Sequence, residues 1–514
     1  MASGPKGDWI DSLDFGRALA NCHADFLGDW YRDPWGWVEV DWILEEGKLE
    51  ELVKPRLKAE GVSRVSRLDV AKENFGVRPA VVMDPIDRLC YQSLVDRLSP
   101  RLSKTLRPWV CGWRLPTKAA KSGHYARQDK EWERYRLQLR TLAGWSKAAL
   151  RTDIVSCFAS IAIDTLAEDV LDTGSSAVSK RLVEMLRGFD AVHGRSGLAQ
   201  RSAASALLAN FYLTPLDDLL ETYAPTKGLI RLLSPTRVLR WMDDIWVFGS
   251  SPGEMRKIQV ELSEAMRAIG LNMNISKTDV LEGDAVYTEA MKIEHSGVDS
   301  ALGDTPMDKI PLEALVEALL EKPEQADRTS VRFATKRMRD HKLYDQVPAF
   351  VERAPRMPQS ADHVARLFRD SGVTSDLEDW YVEFCRTDWA TIDWSVAQMG
   401  TMFPSKSTPS GDGLKDFFAE QLVESPSLAM TSLAAERLTS WDHDLARQAI
   451  RDATDRADNP QIRRALALAS VSVGEKRATV RKLLGEFEEN AVTLQLLEET
   501  SFKKPRVEPD FSGG

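Results

Sequence analysis

Residues 240–249 read RWMDDIWVFG, a pair of aspartates between two apolar runs. This pattern predicts a β-hairpin with Asp243 and Asp244 at its tip. Two carboxylates presented together suit divalent cations, which prefer hard oxygen ligands. A polar turn gives the same pattern, and a second pair, Asp217 and Asp218, follows a helical run and is interpreted as a solvated face. The hairpin alone leaves a metal site and a polar turn equally open.

A third carboxylate favours the metal site. Asp153 lies in AALRTDIVSCFASI, residues 148–161, where an apolar, strand-like run carries a single acid whose burial would otherwise be costly. On a strand beside the hairpin, Asp153 would complete a site for two Mg²⁺ ions about 4 Å apart. One ion would lower the pKa of a primer hydroxyl, and the other would hold a triphosphate and the leaving pyrophosphate. The three aspartates therefore predict phosphoryl transfer.

The composition limits the class of protein. The chain has 514 residues and a formal net charge of −10, but residues 51–150 hold 21 Lys and Arg against 10 Asp and Glu. A basic segment in an acidic chain indicates a phosphate-binding surface, with a solvated basic face as the alternative. No run approaches the ~18 apolar residues of a membrane span. The N-terminal residues are acidic where a secretory signal would be apolar, so we expect no membrane partner.

The cysteines indicate a reducing compartment. None of the five shares a CxxC spacing with another, which argues against a zinc module and a disulfide framework. We therefore expect free thiols and a cytoplasmic location. The cysteines are Cys22, Cys90, Cys111, Cys157 and Cys385.

The spacing of apolar residues divides the chain into four parts. Residues 1–68 are expected to form an N-terminal helical extension, and residues 69–300 mix strand-like runs with amphipathic helices, as in an α+β domain. Apolar residues recur at helical spacing through 301–503, in segments such as ADHVARLFRDSG and NPQIRRALALASV. Short helices joined by polar turns predict HEAT-like helical pairs, with an irregular bundle as the alternative. Residues 504–514 are expected to be a flexible tail.

Five motifs in order resemble those of reverse transcriptases over roughly residues 69–285. The resemblance implies a fold of fingers and palm, α+β in class, followed by the all-α HEAT-like helical-repeat domain. It also implies RNA-directed DNA polymerase activity, which is a nucleotidyltransferase reaction. The motifs are a fingers pattern within 70–88, motif A at 153–161, motif B at 197–213, motif C in the hairpin and motif D at 270–278.

The resemblance assigns roles to single residues at the centre of the site. Asp153, Asp243 and Asp244 would be catalytic and would bind two Mg²⁺ ions, with Mn²⁺ as an alternative ion. Ile154 is a further metal-contacting position. Lys277 would protonate the departing pyrophosphate as a general acid.

Four further residues would bind the dNTP substrate. By the resemblance, Lys72 and Arg78 would grip its phosphates, and Gln200 would hydrogen-bond its sugar and phosphate. The ring of Phe158, five residues beyond Asp153, would clash with a ribose 2′-hydroxyl and so favour deoxynucleotides. Each residue also has an ordinary interpretation, as a core phenylalanine, a polar residue that opens a helix, or a surface charge.

Two residues depart from the family pattern at positions that bear on the template and on the primer. Motif B carries Ala199, Gln200 and Arg201 where Pro-Gln-Gly is usual. An arginine thus replaces the glycine that lets the backbone lie close to the nucleotide, which argues against ordinary template copying. Trp241 stands where a tyrosine is usual and would enlarge the platform beneath the primer end.

The helical region after motif D makes the chain similar to abortive-infection and related defence reverse transcriptases of bacteria. That resemblance implies antiphage defence, homo-oligomers, and DNA synthesis that is independent of a template and primed from the protein itself. One alternative is templated cDNA synthesis from a partner non-coding RNA. Another is a catalytically inactive scaffold that binds protein partners. A nuclease or a different nucleotide-binding enzyme is less favoured, because no P-loop or HNH-like pattern is found.

Overall fold

The structure is a computed structural model that describes residues 8–115, 125–192, 194, 196–225, 236–292, 296–303 and 307–507. Most of the predicted tail, residues 504–514, lies outside these ranges. Within them, no helix has the length and apolar character needed to cross a membrane.

The chain divides into two compact units, and each unit is assembled from three separate segments. The first unit therefore takes in part of the N-terminal region, and the second unit takes in the fingers-like strands. The first unit comprises Met1–Asp29, Leu49–Val62 and Ile86–Asp299, and the second comprises Trp30–Lys48, Ser63–Pro85 and Ser300–Gly514.

Each unit contains one β-sheet. The strands are β1 (Ser66–Ala71), β2 (Val77–Val82), β3 (Val110–Cys111), β4 (Ala148–Thr152), β5 (Val238–Trp241), β6 (Asp244–Gly249) and β7 (Asp279–Glu282). In the second unit, β1 and β2 form an antiparallel pair. In the first unit, five strands form a sheet in the order β3-β5-β6-β4-β7, in which β3 and β5 are parallel and the other neighbours antiparallel.

Helices supply most of the remaining structure before residue 304. Most of them belong to the first unit. Helix α2 (Val38–Glu45) lies in the second unit, and α4 (Pro85–Leu102) and α13 (Ser296–Gly303) each contain a boundary between the units. The helices are α1 (Phe15–Gly28), α2 (Val38–Glu45), α3 (Lys54–Lys58), α4 (Pro85–Leu102), α5 (Gln128–Trp145), α6 (Cys157–Ser160), α7 (Ile163–Asp172), α8 (Ala177–Asp190), α9 (Ala203–Tyr212), α10 (Thr214–Glu221), α11 (Pro252–Ala268), α12 (Asp284–Lys292) and α13 (Ser296–Gly303).

From residue 310 onward the described regular structure is helical, which confirms the helical character predicted from the apolar spacing. Whether these helices form HEAT-like pairs stays a prediction. They are α14 (Ile310–Glu321), α15 (Arg328–Asp340), α16 (Val347–Arg353), α17 (Ala361–Ser371), α18 (Ser375–Cys385), α19 (Asp393–Gly400), α20 (Asp412–Glu424), α21 (Leu428–Trp441), α22 (His443–Thr454), α23 (Pro460–Ser472), α24 (Arg477–Gly485) and α25 (Ala491–Glu499).

The core of the first unit joins the sheet to α5. Trp246 and Phe248 of β6 are fully buried and pack with Tyr135 and Leu139 of α5. The rings of Trp246 and Phe248 lie 5.6 Å apart in a stacked arrangement. The burial of these large side chains fixes β6, and with it the hairpin that carries the aspartates.

One predicted strand is shorter than the sequence pattern indicates. The run that begins at Ala148 is extended only as far as Thr152, and Cys157–Ser160 is the short helix α6. Ser156 adopts a left-handed backbone conformation with φ 47°, which ends the extended run and starts the helix. Asp153 therefore follows the strand.

Candidate active site

The ends of β4 and β6 bring the predicted carboxylates together. The antiparallel register of these strands pairs Thr152 with Ile245. One further step of the same register places Asp153 opposite Asp244, and Asp243 occupies the turn before β6. The predicted hairpin with both aspartates at its tip is confirmed, and Asp153 lies on the neighbouring strand's end.

Asp153 is held by the loop that follows α11. The backbone amide of Asn274 donates to the carbonyl of Asp153 at 2.8 Å, and its side-chain amide donates to Asp153 Oδ2 at 3.0 Å. Lys277 Nζ lies 3.7 Å from the same carboxylate, and 59% of its side chain is exposed. The side chain of Ile154 is buried, so only its backbone carbonyl could contact an ion. The structure thus brings Lys277 to Asp153, and its general-acid role stays a prediction.

The hairpin carboxylates are electrostatically crowded. Burial, and next the charge of Asp153, raise the pKa of Asp243 to about 7. Burial also raises the pKa of Asp244, against the opposing effects of Arg151 and of a hydrogen bond from Tyr135. The Tyr135 hydroxyl donates that bond to Asp244 Oδ2 at 2.8 Å. Crowded carboxylates resist ionisation unless a positive charge compensates them.

The carboxylates of this site suit a divalent cation that also binds the phosphates of a substrate. Carboxylate oxygens are hard ligands, and a cation would neutralise the charge of Asp153, which after burial is the main cause of the raised pKa of Asp243. Across the described part of the chain, no group of three or more His, Cys, Asp or Glu side chains is arranged to hold a metal ion. Mg²⁺ in polymerase sites is commonly bound by one or two carboxylates together with substrate phosphates. Asp153 and Asp243 match that arrangement, while Asp244 is engaged by Tyr135.

A buried ion pair supports the hairpin. Arg240 on β5 and Asp217 on α10 are both fully buried and share hydrogen bonds of 3.0 and 2.6 Å. Arg240 also donates to the Asn210 side chain at 2.9 Å and to the backbone carbonyl of Met242 at 3.0 Å. Met242 occupies the turn with φ 56°. The interpretation of Asp217 as solvated is wrong, because the Arg240 guanidinium compensates its burial; only Asp218 is exposed.

Motif B lies directly against motif A at Gly197. The amide of Leu198 donates to the carbonyl of Phe158 at 2.8 Å, and the hydroxyl of Ser196 donates to the carbonyl of Ala159 at 2.8 Å. Gly197 has φ +75°, and a Cβ atom there would lie 2.1 Å from the Phe158 carbonyl oxygen. This junction therefore requires glycine.

The same junction joins the segments that carry Phe158 and Gln200. Phe158 lies on α6 and Gln200 in the loop before α9, and both side chains are half-buried. Contact of either side chain with a nucleotide stays a prediction.

Arg201 stands where glycine is usual in the family pattern, and its own backbone conformation is one that favours glycine. Its φ of 58° lies in the left-handed region, which is strained for a residue with a side chain. Its carbonyl accepts a 2.6 Å hydrogen bond from Arg88, and the nearby amide of Ala203 donates to Asp25 of α1 at 2.9 Å. The Arg201 residue is exposed. The departure from the family pattern thus places an exposed arginine at a position with a left-handed backbone.

Lys72 and Arg78 belong to the second unit, whereas the other predicted site residues belong to the first. Lys72 is at the turn between β1 and β2, where its amide donates to the Gly76 carbonyl at 2.7 Å. Arg78 on β2 lies over the indole of Trp30, with 5.0 Å between the guanidinium carbon and the ring centre. Their contact with incoming phosphates stays a prediction.

Sequence reasoning missed the contribution of α5. Trp132 stacks on Tyr135 with ring centres 5.3 Å apart, and its ring centre lies 5.0 Å from that of Trp241 on the hairpin. Trp113 lies 6.0 Å from Trp241. Two aromatic residues three apart on an amphipathic helix indicate an apolar face. Nothing in the local sequence indicates that this face meets the hairpin.

The comparison with protein families agrees with this geometry. Residues 70–314 match the family described as reverse transcriptase (RNA-dependent DNA polymerase). The chain thus carries a reverse transcriptase domain, and the enzyme class that this domain defines is a reverse-transcriptase-family nucleotidyltransferase. The matched region contains the three aspartates, Lys277 and the other predicted site residues.

A solved structure of telomerase from Candida tropicalis, in complex with a fragment of telomeric RNA, is similar to this chain at 12% sequence identity. The similarity covers 70% of this chain and 68% of that one, with a TM-score of 0.28. The comparison with curated proteins finds no match.

Proposed function

We propose that this protein is a Mg²⁺-dependent DNA polymerase of the reverse-transcriptase type that extends a primer with dNTPs. The observation that carries the proposal is the convergence of Asp153 and Asp243 at adjacent strand ends, with Lys277 3.7 Å from the Asp153 carboxylate. Bound divalent cations would supply the charge that activates the primer hydroxyl and holds the triphosphate.

The residues of the chain then have distinct tasks. Asp153, Asp243 and Asp244 would hold the cations, with the Ile154 carbonyl as a further ligand, and the Tyr135 hydroxyl keeps Asp244 in place. Lys277, exposed beside Asp153, delivers a proton to the leaving pyrophosphate.

Substrate binding is assigned to four residues, two in each unit. The Phe158 ring excludes a ribose 2′-hydroxyl, and Gln200 hydrogen-bonds the sugar and phosphate. Lys72 and Arg78 contact the phosphates from the fingers-like strands.

The finer form that we propose is template-independent, protein-primed synthesis in bacterial antiphage defence, carried out by a homo-oligomer. Arg201 supports this form, because an exposed arginine stands where the template-copying pattern has glycine, at a position with φ 58°. Templated cDNA synthesis from a partner RNA is the second candidate, and the surplus of basic residues in 51–150 favours it. An inactive scaffold is disfavoured, because the chain retains all three carboxylates.

Incorporation of labelled dNTPs by the pure protein with Mg²⁺ tests the proposal. We expect wild-type protein to incorporate label and Asp243→Asn with Asp244→Asn to lose all incorporation. A matched control, Asp218→Asn with Glu221→Gln, removes two charges from an exposed ion-pair cluster in the same unit and should stay active. Equal incorporation by the Asp243 and Asp244 double variant would falsify the polymerase assignment.

Three treatments of the same reaction separate the finer forms. Product that survives prior RNase treatment and needs no added strand supports template-independent synthesis. Product lost after RNase supports an RNA template. Label that stays with the protein through phenol extraction supports protein priming.

A further inference from the structure

Two helices of the second unit, α15 and α17, carry a dense group of arginines. Arg332 and Arg339 lie on α15, and Arg366 and Arg369 lie on α17. Arg32, from the first segment of the same unit, adds its charge to that of Arg339, Arg366 and Arg369. These five residues are called the arginine face below.

The acidic residues of the two helices do not neutralise this group. Asp370 is shared, at 3.1 Å from Arg339 and 3.4 Å from Arg369. Asp362 is occupied by a bidentate pair with Arg328, with two hydrogen bonds of 2.8 Å. Among the described residues, no carboxylate lies within ion-pair distance of Arg332 or Arg366. Arg332 and Arg366 therefore contribute positive charge that no ion pair with these helices' carboxylates neutralises.

The neighbouring arginines affect the pKa of Arg366. Burial first, and then the charges of Arg32, Arg339 and Arg369, lower the pKa of Arg366 to about 10, although nearby Asp362 opposes the change. Guanidinium groups held close together repel one another, and a polyanion placed over them would relieve that repulsion.

The type and spacing of these residues favour phosphate groups in a series. A guanidinium presents a planar fork that matches phosphate oxygens bidentately, whereas lysine acts as a point charge. Arg332 and Arg339 are seven residues apart, which places them on one side of α15 about 10 Å apart. Arg366 and Arg369 are neighbours one turn apart on α17. A row of this kind fits a strand of repeating phosphates better than a single phosphate.

An aromatic contact extends the basic region toward the fingers-like strands. Arg328 lies over the Trp30 indole at 5.4 Å, and Arg78 on β2 lies over the same ring at 5.0 Å. Arg328 is in turn paired with Asp362 of α17. Arg78, Trp30 and the Arg328–Asp362 pair thus form a chain of contacts from β2 to α17 within the second unit.

We propose that the arginine face binds the phosphodiester backbone of a single-stranded nucleic acid. The choice of nucleic acid over an acidic protein rests on the proposed function, since a polymerase must hold the strand that it makes or copies. Contacts of this kind depend on charge and not on base sequence, so the face would accept both DNA and RNA strands.

Binding of fluorescent oligo(dT) and oligo(rU) by the full-length protein in EDTA tests this inference without any synthesis. The variant Arg332→Gln with Arg366→Gln removes two charges and no ion pair among the described residues. We expect about 10-fold weaker binding, and a salt dependence of log K reduced by about 1.4, because each lost contact to a single strand is worth about 0.7. The single variant Arg332→Gln, at an exposed position, should show about half the change in slope.

The control Arg477→Gln with Arg481→Gln removes the same charge from exposed positions on α24. Unchanged oligonucleotide binding in the test variant, or an equal loss in the control, overturns the inference. Weaker binding of polyglutamate with unchanged binding of oligonucleotides would assign the face to an acidic protein and also overturns it. Because the assay contains no metal or dNTP, its result is independent of whether the protein incorporates nucleotides.

Discussion

Arg240 and Asp217 form a bidentate ion pair in which both side chains are fully buried, directly behind the turn that carries Asp243. The same guanidinium donates to the carbonyl of Met242, so the pair also fixes the left-handed residue of that turn. A buried charge that loses its partner is costly, because the remaining ion is neither solvated nor compensated.

Asp217→Asn should therefore destabilise the protein by about 3–5 kcal/mol and reduce dNTP incorporation. The adjacent change Asp218→Asn should cost less than about 1 kcal/mol, because Asp218 pairs with Arg107 at the surface. Urea denaturation of both variants measures the difference. Similar midpoints for the two would show that the buried pair does not stabilise the fold.

Tyr135→Phe should weaken catalysis while leaving the fold unchanged. The variant removes only the hydroxyl that donates to Asp244 Oδ2 at 2.8 Å, and the ring stays packed in the core. A hydrogen bond to a charged group is worth about 1.5–3 kcal/mol, so we expect incorporation to fall about 10-fold or more.

The Mg²⁺ concentration that gives half-maximal incorporation should rise in the same variant, because Asp244 is no longer held. Tyr223→Phe is the matched control, since it removes a hydroxyl that donates to Glu261. If both variants need the same Mg²⁺ concentration as wild type, Tyr135 has only a packing role.

The residues that could be predicted from the sequence are those whose signal is local. The hairpin follows from an acidic pair between apolar runs, and the helices after residue 310 follow from apolar spacing. The pairing of Asp217 with Arg240 and of Tyr135 with Asp244 joins residues 23 and 109 positions apart. No local pattern encodes such pairs, because either partner alone is also a common surface or core residue. The same limit explains why the solvated interpretation of Asp217 is wrong.

Gly197→Ala should disrupt the contact between motifs A and B. The added Cβ would lie 2.1 Å from the carbonyl oxygen of Phe158, so the two segments must separate. We expect a loss of more than about 2 kcal/mol of stability, from overpacking and backbone strain together, and a strong loss of incorporation.

Gly270→Ala separates these two causes. Gly270 has nearly the same φ, +76°, but a Cβ atom added there would meet no atom within 4 Å. This control should lose only the conformational cost of about 1 kcal/mol and keep its activity. Equal losses at both positions would mean that strain, and not the contact with Phe158, makes Gly197 necessary.

Phe158→Ala should relax the preference for deoxynucleotides. Removing a half-buried ring opens the space that a ribose 2′-hydroxyl would need, and it leaves the carbonyl contact with Leu198 in place. Competition between labelled dNTPs and rNTPs measures the preference, which we expect to shift about 10-fold or more toward rNTPs. An unchanged ratio, in a variant that still incorporates dNTPs, would exclude Phe158 from sugar discrimination.

His363 should make the stability of the second unit depend on pH. This side chain is buried, and burial together with the charges of Arg328, Arg366 and Arg332 lowers its pKa to about 3, against the opposing charge of Asp362. The imidazole has an ordinary pKa in the unfolded chain. As the pH falls, it is therefore protonated in the unfolded chain before it is protonated in the folded protein. Stability is therefore complete above about pH 6.5 and falls as the pH drops toward 3.

The expected loss between pH 7.5 and pH 5 is about 2 kcal/mol, because each pH unit below 6.5 costs about 1.4 kcal/mol. Urea denaturation at the two pH values measures it, and His363→Gln should remove this part of the dependence. His341→Gln, at an exposed position after α15, should follow wild type. The same pH dependence in wild type and His363→Gln would mean that His363 is protonated as readily in the folded protein as in the unfolded chain. The His363 side chain would then not be buried in solution.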